Sequence, residues 1–505
     1  MTLSNPTQTV DRAAAALQVG AGDNIAVALR PLEKGEPVEV AGRNLRVGDA
    51  IGQGHKFALE DIGAGQEILK YGWPIGRATS PIPAGEHVHT QNVETLLSGV
   101  EEYRYEPAEP LPLPSAPNVR FSGYQRSDGR VGTRNEIWIL PTVGCVSRTA
   151  ERIAAVANAR HAAAVDGIHA FTHPFGCSQL GDDLAGTRSL LAALACNPNA
   201  AGVLIIGLGC ESNQLDALLD QIPEALRGKV RTMQAQAEED ETQTGLAIVD
   251  ALVATMSAAR RTPQPLSKLV IGLKCGGSDG FSGLTANPLV GRMADVVIGS
   301  GGSAVLSEIP EIFGAERMLM ARARDRAVFN ALVAVVNDFK RYFLAHGQPV
   351  SENPSPGNLA GGITTLEEKS LGAVQKGGRA PVADVLRYGE RVRHPGLSLL
   401  ESPGNDAVSS TALAAAGATL ILFTTGRGTP LGFPVPTVKI ASNSALAERK
   451  KNWIDFDAGR VLTDGLEPTS DELLGLIARV ASGEQTASER NDEREIAIWK
   501  RGVTL

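Results

Sequence analysis

The stretch Gly202-Val-Leu-Ile-Ile-Gly-Leu-Gly-Cys210 decides the fold class. Gly202–Ile206 reads as an apolar strand, Gly207–Cys210 as a sharp turn, and Asn213–Leu219 as helical. A strand covered on both faces need not alternate polar and apolar side chains. A continuous apolar run that ends in a glycine turn before a helix therefore points to a parallel sheet flanked by helices. The same order recurs on both sides. Glu136–Pro141 leads into Thr142–Cys145 and an Ala-rich Arg148–Ala159, and Ile168–Thr172 leads into Pro174–Cys177. Further on, Leu269–Leu273 leads into Cys275–Gly280, and Leu420–Thr424 into Thr425–Pro430. The body is expected to be α/β.

Outward from that body the pattern changes. In residues 1–100 short β-type pieces (Asn24–Leu29, Val38–Val40, Lys56–Leu59) alternate with Gly, Pro and Asp turns, which predicts a small strand-rich domain. Residues 101–120 hold prolines at 107, 110, 112, 114 and 117 and read as an extended linker. A boundary near 258–268 divides a first α/β domain, 121–262, from a second, 263–505. Near the C-terminus, Thr469-Ser470-Asp471-Glu472 fits a capping box that opens a helix. Leu473, Leu476, Ile477 and Val480 give that helix its apolar face.

A chain of 505 residues exceeds what one hydrophobic core usually supports. The net charge of -8 argues against a nucleic-acid footprint or broad attraction to anionic membranes. No apolar run approaches the ~20 residues that span a bilayer, and Met1–Gly20 lacks the pattern of a signal peptide. The expectation is a cytoplasmic protein with a small-molecule partner, and homo-oligomerisation is left open. Five cysteines, an odd number, do not form a disulfide framework.

Four of those cysteines, Cys145, Cys177, Cys210 and Cys275, follow an apolar strand and a tight turn. Ligands in open α/β sheets bind beyond the carboxyl ends of the strands, so these thiols are candidate metal ligands. Cys196 sits on a helical stretch and reads as structural. Gly207-Leu-Gly209 lacks the third glycine of a dinucleotide loop, which excludes NAD. In Cys275–Pro288, glycines expose backbone N–H groups, while Ser278, Asp279, Ser282 and Thr285 supply polar side chains for a carboxylate-bearing substrate. Arg427, between two glycines, and Arg134, with Arg130 nearby, are candidate carboxylate forks. His87 and His89, spaced i, i+2, share one face of a strand. With His55 they form a candidate metal or acid–base group, and His173 is a further candidate acid or base.

At these motifs the sequence resembles the altronate/galactarate dehydratase family. The resemblance runs over nearly the whole chain. It rests on Gly54-His-Lys-Phe-Ala-Leu59, Gly85-Glu-His-Val-His89, Gly129-Arg-Val-Gly-Thr-Arg-Asn-Glu136, Leu140-Pro-Thr-Val-Gly-Cys145, Phe175-Gly-Cys-Ser-Gln-Leu-Gly-Asp-Asp183 and Cys275-Gly-Gly-Ser-Asp-Gly280. Asn353-Pro-Ser-Pro-Gly-Asn358, Gly361-Gly-Ile-Thr-Thr-Leu-Glu367 and Trp453-Ile-Asp-Phe-Asp-Ala-Gly459 look like the altronate branch. The resemblance implies a β-clip-like (SAF-type) N-terminal domain on a large parallel-sheet α/β body. It also implies a hydro-lyase that dehydrates D-altronate to 2-dehydro-3-deoxy-D-gluconate in hexuronate breakdown. The expected cofactor is iron, as Fe²⁺ or replaced by Mn²⁺, with an iron–sulfur cluster as the alternative form. Rival readings are a sister lyase acting on galactarate or sulfolactate, and a non-catalytic sugar-acid binding protein.

Overall fold

The computed structural model describes residues 14–114, 117–502 and 504, so the reading of Met1–Gly20 lies in part outside the described residues. The N-terminal part is built from short antiparallel strands. Ala16–Leu17, Ile25–Ala28, Lys56–Ala58 and His87–Val88 pair in that order. Pro37–Val40 pairs with Arg43–Arg46, and Trp73–Ala78 lies between Glu67–Lys70 and Val93–Glu94. Apolar positions facing inward, among them Ile25, Val27, Ile68, Ile75 and Val88, are buried.

The body holds two all-parallel sheets. The smaller runs Gly167–Ala170, Glu136–Pro141, Ala200–Gly207, Val230–Gln234. The larger runs Val382–Leu386, Gly396–Leu400, Ser303–Leu306, Val270–Cys275, Leu420–Thr425, Thr437–Ala441, Phe456–Asp457. Every residue of Ala200–Gly207 and of Leu420–Thr425 is buried, which is why these strands read as continuous apolar runs. Helices cover the sheet faces, and their starts are set locally. The Asp240 carboxylate accepts from the N–H groups of Thr242 and Gln243 to open Glu241–Met256, and Asp325 does the same from Val328 for Arg326–Ala345. A mixed α/β fold with a SAF-type N-terminal domain is what the sequence predicts.

Strand order matters for function. In the small sheet the chain starts at Glu136–Pro141, goes to one side and returns on the other as Ala200–Gly207. In the large sheet it starts at Val270–Cys275 and returns as Leu420–Thr425. Each pair of adjacent strands is a topological switch point, the place where loops splay apart and a crevice forms.

Two local expectations need correction. The late helix begins at Leu466 behind Gly465, and the Thr469 hydroxyl donates back to the Gly465 carbonyl. Pro468 fits the first turn, where its missing N–H costs nothing, so the Thr469–Glu472 box is interior. The apolar face holds, with Leu473, Leu476, Ile477 and Val480 all buried. Among its described residues before Arg120 the Pro-rich segment carries no helix or strand, yet it is strapped to the body. The Tyr103 hydroxyl donates to Glu316 at 2.6 Å, and Lys340 donates to both at 2.9 and 2.8 Å.

The seam at the second boundary is also bonded. Thr262–Pro265 pairs antiparallel with Arg120–Gln125. The C-terminal segment returns to the small sheet, where Arg494 meets Glu136 at 3.0 Å.

Candidate active site

His87 and His89 leave one strand on the same side, and His55 comes from the turn before its neighbour. Ring centroids lie 5.2 Å apart for His55–His87, 5.1 Å for His55–His89 and 5.4 Å for His87–His89. His55 Nδ1 and His87 Nε2 are 3.1 Å apart. Burial, then the repulsion of neighbouring His55 and Lys56, pushes His87 down to about 4. Burial and Lys56 do the same to His89, to about 4. His55 is shifted downward as well, chiefly by burial. Three imidazoles therefore stand neutral at pH 7 with lone pairs available.

The trio lies on the seam between the N-terminal domain and the body. His55 Nε2 is 3.4 Å from the Ala360 carbonyl, and His89 Nδ1 is 2.8 Å from Thr364 Oγ1. An Nδ1–H tautomer of His89 donates to that hydroxyl and frees Nε2, the arrangement that metal-bound histidines use. Fully buried Lys56 donates to the Gly362 carbonyl at 2.7 Å and to Thr364 Oγ1 and Glu368 at 2.8 Å. Lys70 reaches the other oxygen of Glu368 at 2.7 Å. Burial alone would raise Glu368, but the two ammonium groups outweigh it and hold the carboxyl at about 2. Thr364 and Glu368 belong to the conspicuous Thr-Thr-Leu-Glu-Glu run, yet sequence gives no hint of their partner strand.

The seam abuts the switch point of the large sheet. Gly54, beside His55, sits against Gly280, Gly361 and Phe281. There the loop after Val270–Cys275 meets the loop after Leu420–Thr425, with the N–H groups of Gly426 and Arg427 donating to Gly277 O at 3.1 and 3.0 Å. Arg427 is exposed, and its guanidinium has no partner among the described residues. It is the cation of this crevice available to a carboxylate.

Other residues of that loop turn inward. Asp279 accepts from Ser282 at 2.8 Å, Ser442 at 2.7 Å and Asn443 at 2.9 Å. The Thr285 hydroxyl donates to the Ser442 carbonyl at 2.7 Å. Asp279, Ser282 and Thr285 thus fasten the loop rather than offer groups to a ligand. Ser278 is buried, and its carbonyl accepts from Asn358 at 2.8 Å.

A buried charged constellation, unforeseen in the sequence, lies beside this crevice. Lys274 contacts Glu308 and donates to Asp406 at 2.9 Å, Lys369 donates to Glu311 at 2.8 Å, and Lys376 lies 3.4 Å from Glu308. Glu308 holds a left-handed backbone at φ 70°, a strained conformation for a non-glycine residue. Cys275, Glu308 and Glu311 place ligand atoms within 4.8 Å of one another. A cation does not fit there, because three ammonium groups already neutralise the carboxylates and burial pushes the Cys275 thiol up to about 12. Cys275 is a protonated member of an ion-pair network, not the fourth partner of the other cysteines.

Cys145, Cys177 and Cys210 share the carboxyl edge of the small sheet and are exposed, whereas Cys196 is buried. His173 and Arg134 depart from expectation. Both ring nitrogens of buried His173 are engaged, at 2.9 Å from the Pro141 carbonyl and accepting from Phe175 N at 3.2 Å. Burial pushes its pKa down to about 4. Arg134 spends all five donors on Glu489 and on the carbonyls of Thr133, Val480 and Glu484. Arg130 pairs with Asp128 at 2.6 Å. In the small-sheet turn, the Glu211 carboxylate accepts from the N–H groups of Leu208 and Gly209 at 3.0 and 2.6 Å. It occupies the donors a dinucleotide phosphate would need. A cavity of about 650 Å³ is lined by Arg130, Lys268, Val270 and Thr419, at the amino ends of Val270–Cys275 and Leu420–Thr425.

Fold and seam together define an α/β protein whose candidate site is composed from a small β domain and the switch point of a large parallel sheet. Comparison with known proteins makes the assignment specific. The SAF domain of altronate/galactarate dehydratases matches residues 14–96, the second domain of D-galactarate dehydratase/altronate hydrolase matches 123–257, and the C-terminal domain of D-galactarate/altronate dehydratase matches 266–504. The chain is 51% identical to altronate dehydratase of Escherichia coli K12 over 97% of its own length and 99% of that protein's. It is 48% identical to altronate dehydratase of Bacillus subtilis 168 over 96% and 98%. Identity to the E. coli galactarate dehydratase (L-threo-forming) is 34% over 86% and 87%. The chain belongs to the galactarate/altronate dehydratase family. Among the described residues no helix is long and apolar enough to cross a membrane.

Proposed function

We propose that the chain dehydrates D-altronate to 2-dehydro-3-deoxy-D-gluconate, a step of hexuronate breakdown, with a divalent iron held by His87 and His89 and His55 as the neighbouring base. The observation that carries this reading is the gathering of three neutral imidazoles on the domain seam, which abuts the loop pair that carries Arg427, in a chain 51% and 48% identical over nearly its full length to two altronate dehydratases.

Two neutral imidazoles, with oxygens of substrate or water beside them, would be a donor set suited to Fe²⁺ or Mn²⁺. When bound, the ion supplies Lewis acidity to the substrate's carboxylate and hydroxyl oxygens. The protein's own part follows from its geometry. Arg427 pairs with the C1 carboxylate and orients the chain of hydroxyls. His55, unprotonated and outside the pair that would hold the ion, takes the proton from C2, and its conjugate acid delivers a proton to the hydroxyl leaving C3. One water departs, and the enol left behind tautomerises to the 2-keto acid. Lys56, through Thr364, sets the orientation of His89 rather than touching substrate.

The test is anaerobic turnover of D-altronate by chelator-treated enzyme, with and without added Fe²⁺, following the 2-keto acid. Activity restored by iron supports the reading. A folded, iron-loaded protein that leaves D-altronate untouched but consumes galactarate or sulfolactate would move it to a sister substrate.

A further inference from the structure

We propose that Cys145, Cys177 and Cys210 ligate a four-iron iron–sulfur cluster at the switch point of the small sheet, separate from the histidine seam. The three cysteines stand in the loops that leave three adjacent parallel strands at the same edge. Cys145 follows Glu136–Pro141, Cys177 follows Gly167–Ala170 and Cys210 follows Ala200–Gly207, with Glu136–Pro141 central among the three. Each is preceded by a glycine. Their loops interlock: Gly144 N donates to Phe175 O at 2.9 Å, and Asn213 N donates to Gly176 O at 3.0 Å. The Asn213 side chain also donates to Thr142 O at 3.1 Å. Gly176 (φ 102°) and Gly209 (φ 131°) hold conformations that place the following cysteine at the rim, and Ser178 after Cys177 is itself left-handed at φ 55°.

All three thiols are exposed, although free cysteine is among the most buried residue types. Packing therefore does not explain why they stand at one edge. A second, independent observation lies in the same loop. Gln179 is 4% exposed and its side-chain oxygen accepts from Gly176 N, yet its Nε2 has no partner among the described residues. A buried amide donor two residues from Cys177 lacks an acceptor, which an inorganic sulfide or a bound thiolate would supply. Donors are present at Cys210 too, where Gln236 Nε2 lies 3.6 Å from Sγ. The helices Ser147–His161 and Gly181–Ala195 start just after Cys145 and Cys177, so their N-terminal ends favour negative charge at this edge.

Spacing selects the kind of metal centre. A single tetrahedral ion with bonds of about 2.3 Å holds its sulfurs roughly 3.8 Å apart. The three thiols are not all within 4.8 Å of one another. A polynuclear cluster, whose cysteines ligate different irons, spreads them further. Ligation converts three thiols to thiolates with release of three protons and no change of oxidation state. Three cysteines leave one of four irons without a protein thiolate. That iron would be open to an oxygen donor.

The test needs no turnover. The full chain is purified anaerobically and assayed for iron, acid-labile sulfide, visible absorption and, after reduction, paramagnetic resonance. The expected content is about four iron and four sulfide per chain beyond any iron at the histidines. Cys177→Ser and Cys210→Ser should each lose the sulfide and the visible band while melting with an unchanged cooperative transition. Cys275→Ser and His87→Ala should keep both. A wild-type protein without labile sulfide, one that holds a single thiolate-bound ion, or Cys177→Ser and Cys210→Ser proteins with full sulfide would each overturn the proposal.

Discussion

Arg134 and Arg427 both sit among glycines, and their sequence surroundings give them equal claims on a substrate carboxylate. Their donors separate them. Arg134→Ala leaves the buried Glu489 carboxylate with Thr486 and the more distant cation of Arg494, at 3.4 Å, and breaking such a buried pair costs about 3–5 kcal/mol. Chemical denaturation should show that loss, with KM unaffected in whatever fraction stays folded. Arg427→Ala removes an exposed, unpartnered cation, so stability should hold while kcat/KM falls about 10- to 100-fold, the weight of a charged hydrogen bond. The histidines make the complementary case. His87→Ala should fold, bind less iron and lose at least about a hundredfold in kcat; unaltered turnover in a folded variant would remove the trio from the chemistry. Residue types and spacing singled out the trio and Arg427, and the structure gathers the three rings and leaves that guanidinium unpartnered among the described residues. They misled at Arg134, His173, Asp279, Ser282 and Thr285, because whether a polar group is free depends on partners as remote as Glu489 and Ser442. The Lys274–Glu308–Lys376 network escaped for the same reason, since a lone lysine in an apolar strand has no visible counter-charge.

At the scale of elements, the strands were legible because burial on both sheet faces writes itself as uninterrupted apolar runs, and Glu136–Pro141 appears with the bounds expected of it. What could not be read is which elements meet across the seam. The helix Leu366–Ala373 is pinned to the N-terminal domain by Glu368, between Lys56 and Lys70, and by Glu367, which accepts from the Thr95 hydroxyl and Leu96 N. The carboxyl's value is depressed from 4.5 to about 2 on folding. A depressed carboxylate stabilises the fold fully above its unfolded value and ceases to do so as pH falls through the folded one. Docking should therefore loosen between about pH 4.5 and 2, detectable as amide exchange rising first in Lys56–Ala58 and Leu366–Ala373. Glu368→Gln should abolish that pH step and weaken docking at neutral pH, because two buried ammonium groups then lack a counter-ion. A step that survives the substitution would assign the acid response to another group.

For the whole molecule, the decisive question is whether the N-terminal domain is a covalent necessity or a docked unit. Its described strands close among themselves, with no strand shared with either parallel sheet. Its hold on the body is noncovalent and concentrated: Lys56 and Lys70 on Glu368, His89 on Thr364, Gly54 against Gly280 and Gly362. Gly280 and Gly362 admit this approach because a Cβ at either would collide with the Gly54 carbonyl. The connecting strap belongs to the body instead, through Tyr103, Glu316 and Lys340, and through Glu101 to Arg317 at 2.9 Å. A chain opened between Gly99 and Val100, which leaves the strap on the body, should therefore reassemble when its two pieces are produced together. It should co-elute as a complex and turn over substrate at a rate within about tenfold of the intact chain once the pieces exceed their dissociation constant, since the linker then only raises an effective concentration. Gly280→Ala in the body piece should abolish co-elution while that piece retains its own cooperative unfolding. If the body piece alone dehydrates substrate, the seam is not the site of chemistry. If neither piece nor mixture does while both are folded and bound, the strap must transmit more than proximity.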